Sequence, residues 1–174
     1  MKVLVVIDMQ NDFIAGALGT VEAQAIVPKV TEKIRGFEGR ILATRDTHEE
    51  GYLDTQEGEK LPVIHCIRNS PGWQIHPEIA ALLTEQPVDK PTFGSVGLGQ
   101  LLSAYHIYQE PIESITLIGV CTDICVISNA LLLKAYMPDV PVIVDASCCA
   151  GVTPDTHRQA LEAMKVCQID IVNE

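Results

Sequence analysis

Residues 2–7 (KVLVVI) form an unbroken apolar run that stops at Asp8. This is the pattern of a strand buried on both faces of a parallel sheet. From residue 23 to residue 37, Ile26, Val30 and Ile34 recur at helical spacing. Gly39 then punctuates the chain before a second short strand at 40–44 (RILAT), so the opening reads as a βαβ unit. Residues 45–72 show no period, are rich in charge, glycine and proline, and are too long for an idle connection, which marks them as a functional loop. Beyond the loop the pattern predicts a helix at 77–83, a third strand at 88–90 and a helix at 96–105. A β-branched strand at 114–119 and a helix at 128–136 follow, then a fifth strand at 141–144, a helix at 154–167 opened by Pro154, and a closing strand at 169–172. Strands alternating with helices at this rhythm predict an α/β fold: a Rossmann-like, doubly wound parallel sheet of about six strands, helices on both faces, with right-handed crossovers.

Composition narrows the function. A length of 174 residues fits a single domain over 1–174, and 47% hydrophobic with 20% charged residues is ordinary for a globular protein. The net charge of -11 argues against nucleic acid and anionic membrane partners, which call for clustered Lys and Arg. No stretch reaches the length of a membrane span, and the opening MKVLVVIDMQ is unlike a signal peptide. Six cysteines without a regular framework read as reduced thiols, which places the protein in the cytoplasm. Nothing like GxGxxG follows the first strand, so no nucleotide cofactor is expected.

In a doubly wound sheet, ligands bind beyond the carboxyl ends of the strands where the winding reverses. Asp8, Asp46, Lys90 and Cys125 all fall at or just past the ends of predicted strands. Thr122 is the expected N-cap of the helix after the fourth strand, which puts Cys125 in its first turn. A thiol there feels the positive helix end, and neighbouring N–H groups can hold an oxyanion. Asp8 is placed to take the thiol proton and return it to a leaving amine, with Lys90 fixing the carboxylate. In the long loop, Asp46, His48 and His65 make a set able to bind one divalent metal with positions left open, and Glu57 is an optional fourth ligand. Zinc is the first choice; iron and manganese suit the same donors. A competing reading has Asp46 and His48 capping a turn while His65 packs in the core. Phe13, Phe93 and the lone Trp73 either line a flat pocket or belong to the core. His76, His106 and His157 receive no role.

At these residues the chain resembles the isochorismatase-like cysteine hydrolases, and among them the nicotinamidase/pyrazinamidase group. The motifs are VIDMQNDF at 6–13, TRDTH at 44–48, LPVIHC at 61–66, DKPTF at 89–93 and GVCTDICV at 119–126. The resemblance implies an Asp8, Lys90, Cys125 triad, a cis peptide between Val120 and Cys121, and an oxyanion hole of the Cys121 and Cys125 backbone N–H groups. It also implies metal ligation by Asp46, His48 and His65, and a ring-binding slot of Phe13, Leu18 and Phe93. The implied partner is a small carboxamide, nicotinamide first, with a place in NAD salvage and self-association as a homo-oligomer. Another small amide or ureido compound is the alternative substrate. Vinyl-ether cleavage of the isochorismate type is disfavoured because Cys125 is present, and a non-catalytic module is disfavoured because the whole trio is. Two departures stand out: Val63 and Ile64 precede His65 where a proline-rich turn is common, and Cys121 stands where Ala or Leu is common.

Overall fold

The strand β1 (Lys2–Ile7) lies at the centre of the sheet, and Val3 through Ile7 have no exposed surface. The computed structural model describes residues 1–174. Its other strands are β2 (Arg40–Asp46), β3 (Val88–Lys90), β4 (Ser114–Val120), β5 (Val142–Ala150) and β6 (Asp170–Val172). All six pair in parallel, in the order β3-β2-β1-β4-β5-β6. The helices are α1 (Asn11–Ile14), α2 (Val21–Arg35), α3 (Gln56–Lys60), α4 (Pro77–Ala80), α5 (Val96–Tyr108), α6 (Ile127–Tyr136) and α7 (Pro154–Val166). This is the doubly wound α/β architecture that the alternation predicts.

Two apolar layers explain the unbroken runs. Val3, Val5 and Ile7 point into a core shared with Leu98 and Leu102 of α5, Ala130 and Leu133 of α6, and Leu161 and Met164 of α7. Leu4 and Val6 point the other way, onto Ile26, Val30 and Ile34 of α2. Because strand side chains alternate between faces, a strand covered on both sides must be apolar at every position. The winding reverses between β1 and β4, and Gly119 marks that seam. Its φ is 119°, and a Cβ there would sit 2.1 Å from the Ile7 carbonyl oxygen. Only glycine allows so close an approach of the two backbones.

Three local expectations are corrected. The fifth strand does not stop at 144 but runs to Ala150. Residues 145–150 (DASCCA) look loop-like because they are small and open on a carboxylate. That carboxylate is accommodated by Lys33 Nζ at 2.7 Å, the Ser147 hydroxyl at 2.8 Å and Asn173 Nδ2 at 3.1 Å. Thr122 is not a helix cap. The chain enters α6 through a π-helical turn, Thr122–Val126, in which Cys121 holds the cap position without a side-chain bond. The Thr122 hydroxyl is engaged 2.8 Å from His157 Nδ1 instead. The long loop, finally, is not structureless, since it contains a 3₁₀ turn at Tyr52–Asp54 and then α3. Thr55 Oγ1 accepts from the Gly58 N–H and starts α3, which carries Glu57.

Candidate active site and metal centre

The carboxyl ends of four adjacent strands meet above the winding reversal, and each delivers one reactive side chain. Asp8 follows β1, Asp46 ends β2, Lys90 ends β3, and Cys125 lies in the turn after β4. All four are buried. Lys90 Nζ is the hub: it lies 2.6 Å from Asp8 Oδ2, 3.1 Å from Asp46 Oδ1 and 3.4 Å from Cys125 Sγ. The structure therefore brings Asp8, Lys90 and Cys125 together.

Asp8 has a left-handed backbone, φ 47°, a conformation that Asp tolerates better than most residues. Thr44 holds it twice: the Thr44 hydroxyl donates to Asp8 Oδ1 at 2.6 Å and accepts from the Asp8 N–H at 3.3 Å. Burial raises the Asp8 pKa above the ordinary carboxyl value, more than the Lys90 charge lowers it. Burial and the Asp8 charge likewise push the Cys125 thiol well up, with Lys90 opposing. Desolvation of the fully buried sulphur thus works against the thiolate that the Lys90 ammonium favours. Lys90 stays charged: burial works against it, but Asp8, Cys125 and Asp46 raise its pKa further.

Cys121 sits on the cavity wall, and the Val120–Cys121 peptide is cis. No backbone carbonyl accepts from the Cys121 N–H. Its own thiol is pushed up to about 12, chiefly by burial and by Asp123.

Asp46, His48 and His65 are buried, with ligand atoms all within 4.8 Å of one another. Asp46 Oδ2 lies 2.9 Å from His48 Nε2 and 3.7 Å from His65 Nε2. Its other oxygen is the one that faces Lys90, so a single carboxylate joins the two centres. Burial opposes its ionisation, but the His48 contact and the Lys90 charge hold its pKa below the ordinary value. Glu57 Oε1 approaches from α3, 3.7 Å from His48 Nε2 and 4.0 Å from His65 Nε2. The His65 Nδ1–H donates to the Val63 carbonyl at 2.8 Å, which turns Nε2 toward the cluster. The Tyr52 ring packs on both imidazoles, with centroids 4.6 and 5.0 Å away. His48 Nε2 is buried and, though close to Asp46 Oδ2, makes no well-directed hydrogen bond, as expected of a nitrogen turned toward a metal. Two imidazoles and a carboxylate around that orphan fit a divalent ion such as zinc, iron or manganese.

A cavity of about 550 Å³ opens over both centres. Phe13, Leu18, Leu61, Phe93 and Ile124 make its apolar walls, while Cys125, Asp46 and His65 reach its polar floor. Phe13 meets the His65 ring edge-on at 5.6 Å. Trp73, open between pocket and core on sequence grounds, belongs to the framework. Its indole N–H donates to Thr47 Oγ1 at 2.8 Å, and the Arg45 guanidinium covers its ring at 3.3 Å.

Sequence reasoning missed the neutral residues that hold this arrangement. Gln10, fully buried, clamps the Asp46 backbone: Oε1 accepts from the Asp46 N–H at 2.7 Å, and Nε2 donates to the Asp46 carbonyl at 2.8 Å. Asn129, also fully buried, holds the Cys125 turn by one bond, with Nδ2 donating to the Cys125 carbonyl at 2.7 Å. Side-chain amides carry no charge and no characteristic spacing, so only their burial marks them.

With this geometry in place, comparison with known proteins decides the family. Residues 2–173 match the isochorismatase domain. The chain belongs to the isochorismatase family. The nicotinamidase of Escherichia coli is 31% identical over 194 residues, covering 95% of this chain and 90% of that protein. The nicotinamidase/pyrazinamidase of Mycobacterium tuberculosis is 25% identical over 187 residues, covering 99% and 98%. Among solved structures, the pyrazinamidase of Pyrococcus horikoshii in complex with zinc superposes with a TM-score of 0.82 at 31% identity, covering 99% of each chain. Within the isochorismatase family the chain therefore falls with the nicotinamidase/pyrazinamidase group that its motifs resemble. The departure at Val63 and Ile64 keeps a function in this fold, since the Val63 carbonyl is what orients His65.

Proposed function

We propose that this protein is a cysteine amidohydrolase that converts nicotinamide to nicotinic acid and ammonia. The observation that carries the reading is the Lys90 hub, which gathers a carboxylate and a thiol at the floor of an apolar slot beside two imidazoles. In the reaction, Asp8 takes the Cys125 proton as sulphur attacks the carboxamide carbon. The resulting oxyanion lies against the N–H groups of Cys121 and Cys125. Asp8 then passes its proton to the amine, ammonia leaves, and a thioester remains on Cys125. Water enters, Asp8 takes one of its protons, and hydroxide addition to the thioester releases the acid; the proton returns to sulphur. Lys90 stays charged throughout and holds Asp8 in place while its proton comes and goes.

Asp46, His48 and His65, with Glu57 as a further ligand, would hold a divalent ion, zinc first, which supplies a Lewis acid for a ring nitrogen. Phe13, Leu18 and Phe93 would stack on the two faces of the ring. Six free thiols and the acidic surface suit a cytoplasmic enzyme, and no helix is long and apolar enough to cross a membrane.

Ammonia release from nicotinamide tests the proposal directly. Cys125→Ala should lower turnover by about a thousandfold or more and leave the melting temperature within about 3 °C. Near wild-type turnover in that variant would remove the nucleophile assignment. Inert wild-type protein, fully reduced and metal-loaded, would remove the activity itself.

A further inference from the structure

Phe93 is 44% exposed, against 9% for Phe13 across the slot, so core packing does not hold its ring in place. Its backbone is held instead. Asn129, fully buried in α6, donates through Nδ2 to the Phe93 carbonyl at 3.0 Å and to the Cys125 carbonyl at 2.7 Å. Asn129 Oδ1 accepts from the Ser95 N–H at 2.9 Å. Between these anchors Gly94 lies tight on α6, where a Cβ would sit 3.2 Å from the Ser128 carbonyl oxygen. Lys90 Nζ also donates to the Thr92 carbonyl at 3.2 Å, so the segment 92–95 is fixed from both sides of the slot.

We propose that Asn129 is a positioning residue that sets substrate selectivity. One planar amide ties the aromatic wall to the turn of the nucleophile, and so fixes the gap into which a flat ring must fit. The inference rests on the carboxamide reading above. An amide is the group that serves here, because it offers two donor hydrogens and an acceptor in one plane. Asn129→Asp keeps the shape and the acceptor for Ser95, but sets one carboxylate oxygen against the two carbonyl oxygens. Asn129→Ala removes all three bonds. In either case the Phe93 segment loses its registration to Cys125 while Asp8 and Lys90 keep theirs.

The test compares an aromatic substrate, nicotinamide, with an aliphatic one, propionamide, on metal-loaded wild type, Asn129→Asp and Asn129→Ala. Backbone hydrogen exchange of the segment 91–96 is measured in parallel. The KM for nicotinamide should rise about tenfold, and kcat/KM should fall at least about fivefold more for nicotinamide than for propionamide, whose smaller loss reports the loosened Cys125 turn. Exchange at Ser95 should quicken about tenfold or more in both variants, while β1 and β4 keep their protection. Equal losses on both substrates with KM unchanged, or unaltered exchange at Ser95, would overturn the proposal. Should wild type hydrolyse no carboxamide, the functional reading falls, and the exchange measurement alone decides whether Asn129 holds the wall.

Discussion

At the scale of single residues, the site depends on how burial shifts proton equilibria. Asp8 must be ionised to accept the thiol proton, and it is protonated below its pKa. Since burial raises that pKa above the ordinary 3.8, the acid limb of the kcat/KM profile should lie at higher pH than an exposed aspartate would give. A pH–rate profile on nicotinamide checks this, and an acid limb at or below 3.8 would reject Asp8 as the base. Asp8, Asp46, Lys90 and Cys125 were legible in the sequence because reactive residue types at or just past strand ends are few, and His48 and His65 because they stand in a loop too long to be an idle connection. The thiol's protonation was not legible, since it depends on how deeply sulphur is buried and on which charges face it. Gln10, Asn129 and the framework role of Trp73 were hidden for a related reason. Each acts through hydrogen bonds to backbone atoms remote in sequence, and no local pattern records such bonds.

At the scale of elements, two contacts hold the rim in register. Gly119 lets β4 pass β1 where the winding reverses, and it places the Cys121 turn beside Asp8. Gly119→Ala adds a Cβ against the Ile7 carbonyl at a positive φ. It should cost about 2–5 kcal/mol of stability, read from urea unfolding, and lower activity in the remaining folded protein. On the other face, Asp145 joins β5 to α2 and to the residue after β6. Burial opposes its ionisation, but bonds from Lys33, Asn173 and Ser147 hold its pKa below the ordinary value. A depressed carboxyl pKa contributes stability that is present above about pH 4 and is lost as pH falls through the folded-state value. Asp145→Asn should therefore lower the urea midpoint at pH 7, and the gap from wild type should close toward pH 3. A gap independent of pH would show that the ionised carboxylate contributes nothing. The apolar pattern ends this strand at 144 for the same physical reason: a carboxylate in a strand is tolerated only where tertiary partners neutralise it.

At the scale of the whole molecule, the loop 45–72 and the sheet rim build one site from two halves. Asp46 belongs to both, facing Lys90 with one oxygen and the imidazoles with the other. A ligand that binds only the folded state stabilises it by mass action. Zinc at about a hundredfold excess over its Kd should raise the melting temperature by about 5–10 °C, and chelation should reverse the gain. His48→Ala should abolish the shift. An unchanged melting temperature across zinc, iron and manganese would reject the metal assignment.

The sequence by itself determined the order and type of the strands and main helices, because hydrophobic period reports which faces are buried. It also determined which reactive side chains stand at strand ends. Tertiary structure alone decided how far β5 runs, how the chain enters α6, and which amides clamp Asp46 and Cys125. It alone set how deeply the thiol is buried as well. Those features arise from desolvation and from hydrogen bonds between distant segments, and such energies exist only once the chain has closed around them.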